Sequence, residues 1–423
     1  MKLQFISNNQ ISFQFAIYFA SKFKDLYLRR MISKPIVSIA GKKGPFLNVI
    51  EALSQLDLTS LKGKRILIKP NVGRIAPPES GYNTHPEAVA AIIETLNKLD
   101  VETIAIGESP IVGVNIFEAF KRAGFTEMAA RYGVELLDFN SKPPVIKNIP
   151  DPRIIISTKI CQQIYDYDIL ISVPVTKTHM HTGVTLGIKN MKGCLYRHEK
   201  VRYHQLEYLH KVYPEKTLDS AISDLATVLM PDMTVVDGYT GMEGLGPSGG
   251  KAIKSNFAVA SFNAMGADVV ACKLMGLNAE EIPHLKIISE RNKMSVQFED
   301  YEIVGGQYKN YRCNYEKPPT KISVEFPGIE VQDVDSCSSC LSTLMLFLKR
   351  FGEDMSQYSL CDGKFHIAIG KGVNNAMDGT VFVGNCTRHM NGKGIHVKGC
   401  PPVATRIYEA IVHHEPDKNE DPV

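Results

Sequence analysis

From Pro35 onward the chain alternates short apolar runs with longer stretches of helical periodicity. Arg65-Ile66-Leu67-Ile68 reads as a strand, Pro86 to Leu99 as a helix behind the cap-like Thr84, and Thr103-Ile104-Ala105-Ile106 as the next strand. Val114 to Ala123 is helical in period, whereas Val134 to Leu137, Asp168 to Val173 and Met233 to Val236 are extended. Such alternation predicts an α/β fold built on a doubly wound, mainly parallel sheet. Its ligand sites are expected in the turns at the strand ends.

The periodicity breaks between Asn292 and Gln332, where Gly305-Gly306 and Lys317-Pro318-Pro319 mark turns. Beyond it lie a helix from Leu341 to Phe351, three short strands and a last helix from Val403 to Val412, a small C-terminal α/β unit. The expected organisation is an N-terminal extension over 1–34, an α/β domain over 35–290, a linker or edge region over 291–332, a cysteine-rich domain over 333–415 and a charged tail over 416–423.

Composition narrows the class to a soluble globular protein of two or three domains, with a net charge of +3 and no tryptophan. Near-neutral charge argues against nucleic acid, because phosphate-backbone binding needs a concentrated basic face. Nine cysteines, an odd number with five of them crowded near the end, do not read as a secreted disulfide framework, so the cytoplasm is the expected location. Ile11 to Phe23 is apolar and aromatic but is interrupted by Gln14 and too short for a membrane span. It lacks the basic start and small-residue cleavage site of a signal peptide. It reads as an upstream extension or a loosely attached amphipathic helix, with Met31 as a candidate natural start.

The turns after the strands carry the candidate chemistry. Lys177, His179, His181, Lys189 and Lys192 fall in one segment beside Thr178, Thr182 and Thr185, supplying cations and hydroxyls for a carboxylate or phosphate. Lys69 and Asn71 close the first of these strands in similar style. His179 is the leading acid-base candidate, with Lys177 and Lys189 as electrostatic partners. The competing reading is of lysines on a solvated loop and a histidine satisfying local hydrogen bonds. Asp237 and Glu243 bring negative charge to the glycine-rich loop Gly238 to Gly250, fit for a metal ion, a proton transfer or ordinary turn chemistry. No GxGxxG follows the first strand and no P-loop motif occurs, so nucleotide binding loses its strongest support. Cys194 is a minor candidate without an activating signature beyond nearby lysines.

In order, Ile68-Lys69-Pro70-Asn71, Thr84-His85-Pro86, Gly107-Glu108, Val173 to His179, Thr182 to Gly193, and Val236-Asp237-Gly238 through Met242 to Pro247 resemble the DUF362 family over roughly Pro35 to His284. The resemblance implies a partner iron-sulfur module, since members commonly pair this domain with a ferredoxin-like one. The usual ferredoxin cysteine run is missing here. The loops are also distantly similar to those of nickel-pincer lactate racemases, which place histidines and a lysine before a glycine-bearing turn.

Instead, Cys337 and Cys340 open a C-S-S-C pair, Cys386 stands in Gly-Asn-Cys-Thr and Cys400 in Gly-Cys-Pro-Pro. Four soft thiolates hold a tetrahedral zinc or an iron-sulfur cluster. Structural zinc sites normally use two C-x-x-C knuckles, and only one exists here. Cys386 and Cys400 each follow an apolar run, Thr380 to Val383 and Ile395 to Val397, which puts thiols at strand ends. Pro401 and Pro402 stiffen the last turn. The pattern is similar to the proximal-cluster domain of NiFe hydrogenase small subunits and the related complex I subunit, with a tighter Cys386 to Cys400 interval. That resemblance implies one 4Fe-4S cluster, zinc being the other candidate occupant. Cys361, ahead of the strand Phe365 to Ile369, is read as a structural thiol.

Together these readings predict an iron-sulfur oxidoreductase that passes low-potential electrons to an anionic substrate or second cofactor in the crevice. A ferredoxin-like electron donor is its expected partner. Two other readings remain: a non-catalytic iron-sulfur carrier or binding protein, and a non-redox enzyme with a structural metal.

Overall fold

The computed structural model describes residues 34–206, 217–318, 326 and 328–413. The expected extension, apart from Lys34, and the charged tail lie outside the described residues.

In chain order the first twelve strands are β1 (Ile36–Gly41), β2 (Arg65–Pro70), β3 (Thr103–Glu108), β4 (Glu135–Asp138), β5 (Pro144–Asn148), β6 (Ser157–Cys161), β7 (Ile169–Val173), β8 (Val175–His179), β9 (Gly183–Thr185), β10 (Met233–Glu243), β11 (Lys251–Ser261) and β12 (Glu302–Val304). The main sheet has the order β12-β1-β11-β10-β7-β2-β3-β4, and the β8/β9 hairpin joins it beside β10. Every pair from β10 to β4 is parallel. β11 runs antiparallel to both β10 and β1. β5 and β6 form a separate antiparallel pair.

The side-chain period of a strand explains the double winding. Leu67 packs into the core on one face of the sheet, while its neighbours Ile66 and Ile68 pack into the core on the other, and all three are fully buried. The first core includes the helices Thr217–Ala226, Ala264–Leu274 and Pro283–Asn292; the second includes Pro45–Ser54, Pro86–Asn97, Ile116–Arg122 and Phe125–Tyr132. Each such aliphatic side chain stabilises the fold by roughly 1.5–3 kcal/mol.

Two local expectations are corrected. The helix Pro86–Asn97 is capped by His85, whose Nδ1 accepts from the Glu87 N–H at 3.2 Å, rather than by Thr84. Thr84 instead ties two strand ends together: its hydroxyl accepts from the Asn71 N–H (2.8 Å) and donates to the Val173 carbonyl (2.7 Å). Gly238 to Glu243, expected in a loop, continues β10 and pairs with β11 through an irregularity between Gly238 and Thr240. The Phe257 ring lies where a Cβ on Gly238 would stand, so glycine here serves strand packing.

The C-terminal unit is a four-stranded parallel sheet in sequential order, β13 (Ile329–Asp333), β14 (Phe365–Ile369), β15 (Thr380–Val383) and β16 (Gly394–Val397). β13 comes from the stretch expected as linker. The helices Ser338–Phe351 and Ala404–Val412 contribute Leu344, Phe347 and Ile407 to its core, which also takes in Leu245 of the main domain.

Candidate functional site

β7 stops at Val173 because Pro174 has no N–H for the ladder. The chain then re-enters the sheet as β8, with Val175 opposite Asp237 and Lys177 opposite Met242. Lys177 and His179 therefore stand on a strand, not in a turn. At i and i+2 they share one face. Their exposures of 5% and 2% overturn the solvated-loop reading. Lys177 Nζ donates to Asn71 Oδ1 (2.9 Å) and the Tyr82 carbonyl (2.6 Å). Thr178, on the opposite face, donates to the Gly244 carbonyl (3.0 Å), and the Thr182 hydroxyl donates to the Val184 carbonyl (3.2 Å). Both hydroxyl protons are thus committed to backbone.

His179 Nδ1 accepts from the backbone N–H groups of His181 (3.1 Å) and Thr182 (3.4 Å). With that lone pair occupied, the neutral ring carries its proton on Nε2. The His181 ring lies 6.0 Å away between centroids.

Asp268 organises the next element, the single helical turn Gly187–Asn190, by accepting from the Gly187 (2.7 Å) and Ile188 (3.0 Å) N–H groups. This turn carries Lys189, whose Nζ donates to the Thr185 hydroxyl (3.2 Å), and Asn190. Asn190 Oδ1 accepts from Lys69 Nζ (2.7 Å) and Asn71 Nδ2 (3.2 Å). Lys69 also donates to Glu108 Oε2 (2.7 Å) and the Pro70 carbonyl (2.9 Å). Three donors thus meet three acceptors in a fully buried strut. Gly193 lies over this ion pair, and a Cβ there would collide with Lys69 Nζ and Glu108 Oε1. Gly193→Ala is expected to cost about 1–3 kcal/mol by overpacking, measured by urea unfolding; an unchanged midpoint would remove the close-contact role.

The electrostatics are those of a buried cationic cluster. Burial, followed by the neighbouring cations Lys189, Arg74 and Lys69, pushes Lys177 down to about 7. Lys189 is pushed to about 8, chiefly by burial, with Asp219 as its opposing anion. Burial and neighbouring cations hold His179, Lys192 and His204 well below their ordinary values. Lys192 Nζ touches His204 Nε2, and both residues are half-buried. The expected acids are turned elsewhere. Asp237 accepts from the N–H groups of His85 (2.7 Å) and Tyr239 (3.0 Å), and Glu243 from that of Glu316 (2.8 Å). Cys194 is fully buried and its thiol pushed up by burial, so it is inert.

In the C-terminal unit, parallel strands bring the cysteine loops to one edge. Cys337 and Cys340 follow β13, Cys386 follows β15 and Cys400 follows β16. The four sulfurs share one electrostatic neighbourhood: the Cys340 thiol donates to Cys337 and also feels Cys400 and Cys386. That bond pulls Cys337 down to about 6, with help from Lys371, and pushes Cys340 up. Gly384 leaves the space beside Cys340 open, since its Cβ would stand 3.2 Å from that sulfur. Among the described residues no group of three His, Cys, Asp or Glu is drawn up around a single metal ion. Cys361 is exposed in a turn, which removes its expected packing role.

The two sites meet at the helix Glu199–Gln205. His204 faces Lys192, while Gln205 Nε2 donates to Cys400 Sγ at 2.8 Å. Lys371 Nζ, on the loop after β14, donates to the Gln205 carbonyl (2.8 Å), and Cys337 lies within electrostatic reach of Lys192. Sequence reasoning missed this junction and the partner role of Glu108 and Asn190. The last two sit inside the quoted turns, whereas nothing in the local pattern marks His204, Gln205 or Lys371.

This arrangement of strand-end lysines, histidines and glycines coincides with a described family. Residues 66–273 match the model "Domain of unknown function (DUF362)". Over that stretch the chain matches the DUF362 family. The thylakoid-associated protein sll1697 of Synechocystis sp. is 23% identical over 221 residues, which cover 52% of this chain and 66% of that protein. Among solved structures, the lactate racemase apoprotein from Thermoanaerobacterium thermosaccharolyticum aligns with a TM-score of 0.39 and 13% identity over 58% of each chain. The DUF362 match ends at residue 273, before the four-cysteine unit begins.

Proposed function

We propose that this DUF362 protein is an iron-sulfur oxidoreductase that holds a small anionic molecule in its cation-lined crevice, with Cys337, Cys340, Cys386 and Cys400 as the ligands of a 4Fe-4S cluster. The observation that carries this reading is the junction at Glu199–Gln205, where one short helix touches Lys192 through His204 and Cys400 through Gln205. Cys337, Cys386 and Cys400 all act electrostatically on Cys340, beside the side-chain-free Gly384, which supports this ligand set. When bound, such a cluster supplies single electrons at low potential.

The chain's own residues then divide the work. Among the described residues Lys189 Nζ donates to one acceptor, the Thr185 hydroxyl, so its ammonium is suited to a carboxylate or phosphate oxygen. His179, neutral and protonated on Nε2, donates a hydrogen bond to an acceptor oxygen rather than releasing a proton. Proton supply near neutrality belongs instead to Lys177 and Lys189, whose pKa values of about 7 and 8 suit it. Among the described residues no helix is long and apolar enough to cross a membrane. A reducing compartment, the cytoplasm, is the proposed setting.

Anaerobic purification with iron, acid-labile sulfide and zinc analysis, and electron paramagnetic resonance after dithionite, tests the cofactor. Iron and sulfide with a reducible signal support it; zinc without sulfide would overturn it and leave the cysteines structural. The crevice is tested separately with inorganic sulfate, which does not itself titrate near neutrality. A bound anion favours charged lysines. Affinity is therefore highest below about pH 7 and falls by about tenfold per pH unit above the lysine pKa values for each proton that binding draws in. Lys189→Met should weaken sulfate binding by about tenfold, or 1.4 kcal/mol. A flat pH profile with unchanged affinity in the variant would exclude the anion site.

A further inference from the structure

The four cysteines are not equally enclosed. Cys340 is buried and Cys337 is within reach of Lys192, whereas Cys400 is exposed at an open groove of about 590 Å³. Lys159, Arg197, Arg202, Glu199 and Gln205 line that groove with Cys400. Glu199, the one carboxylate among these, is engaged: it accepts from Arg202 Nε (3.1 Å) and from the Thr158 hydroxyl (3.0 Å). The groove is therefore net positive. Exposed Lys371 and Lys398 extend the same sign around the cysteine loops.

Arg197 is held in place. Its backbone is left-handed, with φ of 46°, and its N–H donates to Asn140 Oδ1 at 2.9 Å. Its guanidinium sits 5.0 Å from the centroid of the Tyr196 ring. A non-glycine residue in that region persists where its surroundings hold it there.

We propose that this groove is the docking surface for an acidic one-electron carrier protein, with Cys400 the cysteine nearest the bound carrier. The inference rests on the cluster reading above and adds to it a partner and a face. Electron carriers form small, short-lived contacts in which charge complementarity sets encounter rate and orientation. A concave groove with three cations accepts a protruding acidic loop. Among the described lining residues Val201 and Tyr196 are the apolar ones, too few to insert into a lipid interface.

The test uses the full-length protein as purified, with its iron and sulfide content measured, titrated calorimetrically with an acidic plant-type ferredoxin at low and moderate salt. Binding that weakens with salt, and falls by at least about tenfold in Lys159→Glu/Arg197→Glu, is the expected result. Lys398→Glu, on a separate element, should weaken it in the same direction. Thermal melts of the variants establish that the fold is kept. Binding unaffected by charge reversal, or no binding by protein with full iron and sulfide, overturns the docking surface while leaving the cluster intact. Binding to phosphatidylglycerol vesicles in place of ferredoxin, with the same charge dependence, overturns it in favour of a membrane surface. Ferredoxin binding through these cations by protein that carries neither iron nor sulfide keeps the surface and strikes the cluster reading.

Discussion

Replacing Lys69 by methionine is expected to lower the free energy of unfolding by about 3–5 kcal/mol, the usual cost of leaving one partner of a buried ion pair uncompensated. Lys69 and Glu108 have side-chain exposures of 0% and 2%. Water is therefore unable to take over from the lost ammonium. The Glu108 carboxylate would keep the Val72 (3.1 Å) and Ser109 (2.9 Å) N–H groups but lose the Lys69 ammonium, its one cation at hydrogen-bond distance among the described residues. Asn190 would lose one of the two bonds to its Oδ1 and with it part of the link between β2 and the turn that carries Lys189. Urea unfolding followed by circular dichroism measures the effect. Lys69→Met/Glu108→Gln should recover part of the loss, because the stranded charge is removed as well. A single-variant loss under about 1 kcal/mol would mean that the pair is hydrated in solution.

That pair also illustrates what the sequence could and could not reveal. Lys69 reads as one of several strand-end cations, and its assignment to ligand binding was reasonable from type and position. Its structural partner is 39 residues away on β3, so only the folded sheet distinguishes a strut from an open donor. Lys177, His179, Lys189 and Lys192 were legible because they cluster within one short segment. Their burial was not, since Val175-Thr176-Lys177-Thr178-His179 looks locally like a polar turn. It becomes a strand because Pro174 ends one ladder and β10 offers another. The local pattern ends β10 early for a related reason: Gly238 and Gly241 suggest a loop, yet each marks a place where a side chain fills the Cβ position. By contrast, strands such as Ile66-Leu67-Ile68 are apolar on both faces and announce themselves.

Cys340→Ser should reduce the iron and sulfide retained on anaerobic purification by about an order of magnitude or more, given that even outer-shell changes cost metal sites 10–100-fold. The reason for choosing Cys340 is its position. It is 4% exposed, bonded to Cys337, and the cysteine whose titration responds to all three of the others. A serine oxygen is a harder and less acidic ligand than a thiolate and leaves three sulfurs where four are needed. A metal centre in so small a unit would contribute to its folding, so on the cluster reading the same variant should melt earlier than the parent protein. Cys361→Ser supplies the matched control: the exposed thiol lies outside the shared neighbourhood, so both cofactor content and melting should be unchanged. If Cys340→Ser keeps its iron and sulfide, the four-cysteine assignment fails. If Cys361→Ser loses them, the ligand set must be redrawn around that turn. The cation crevice stands apart from either result, since none of its residues is a thiol and sulfate binding reads it without the cofactor.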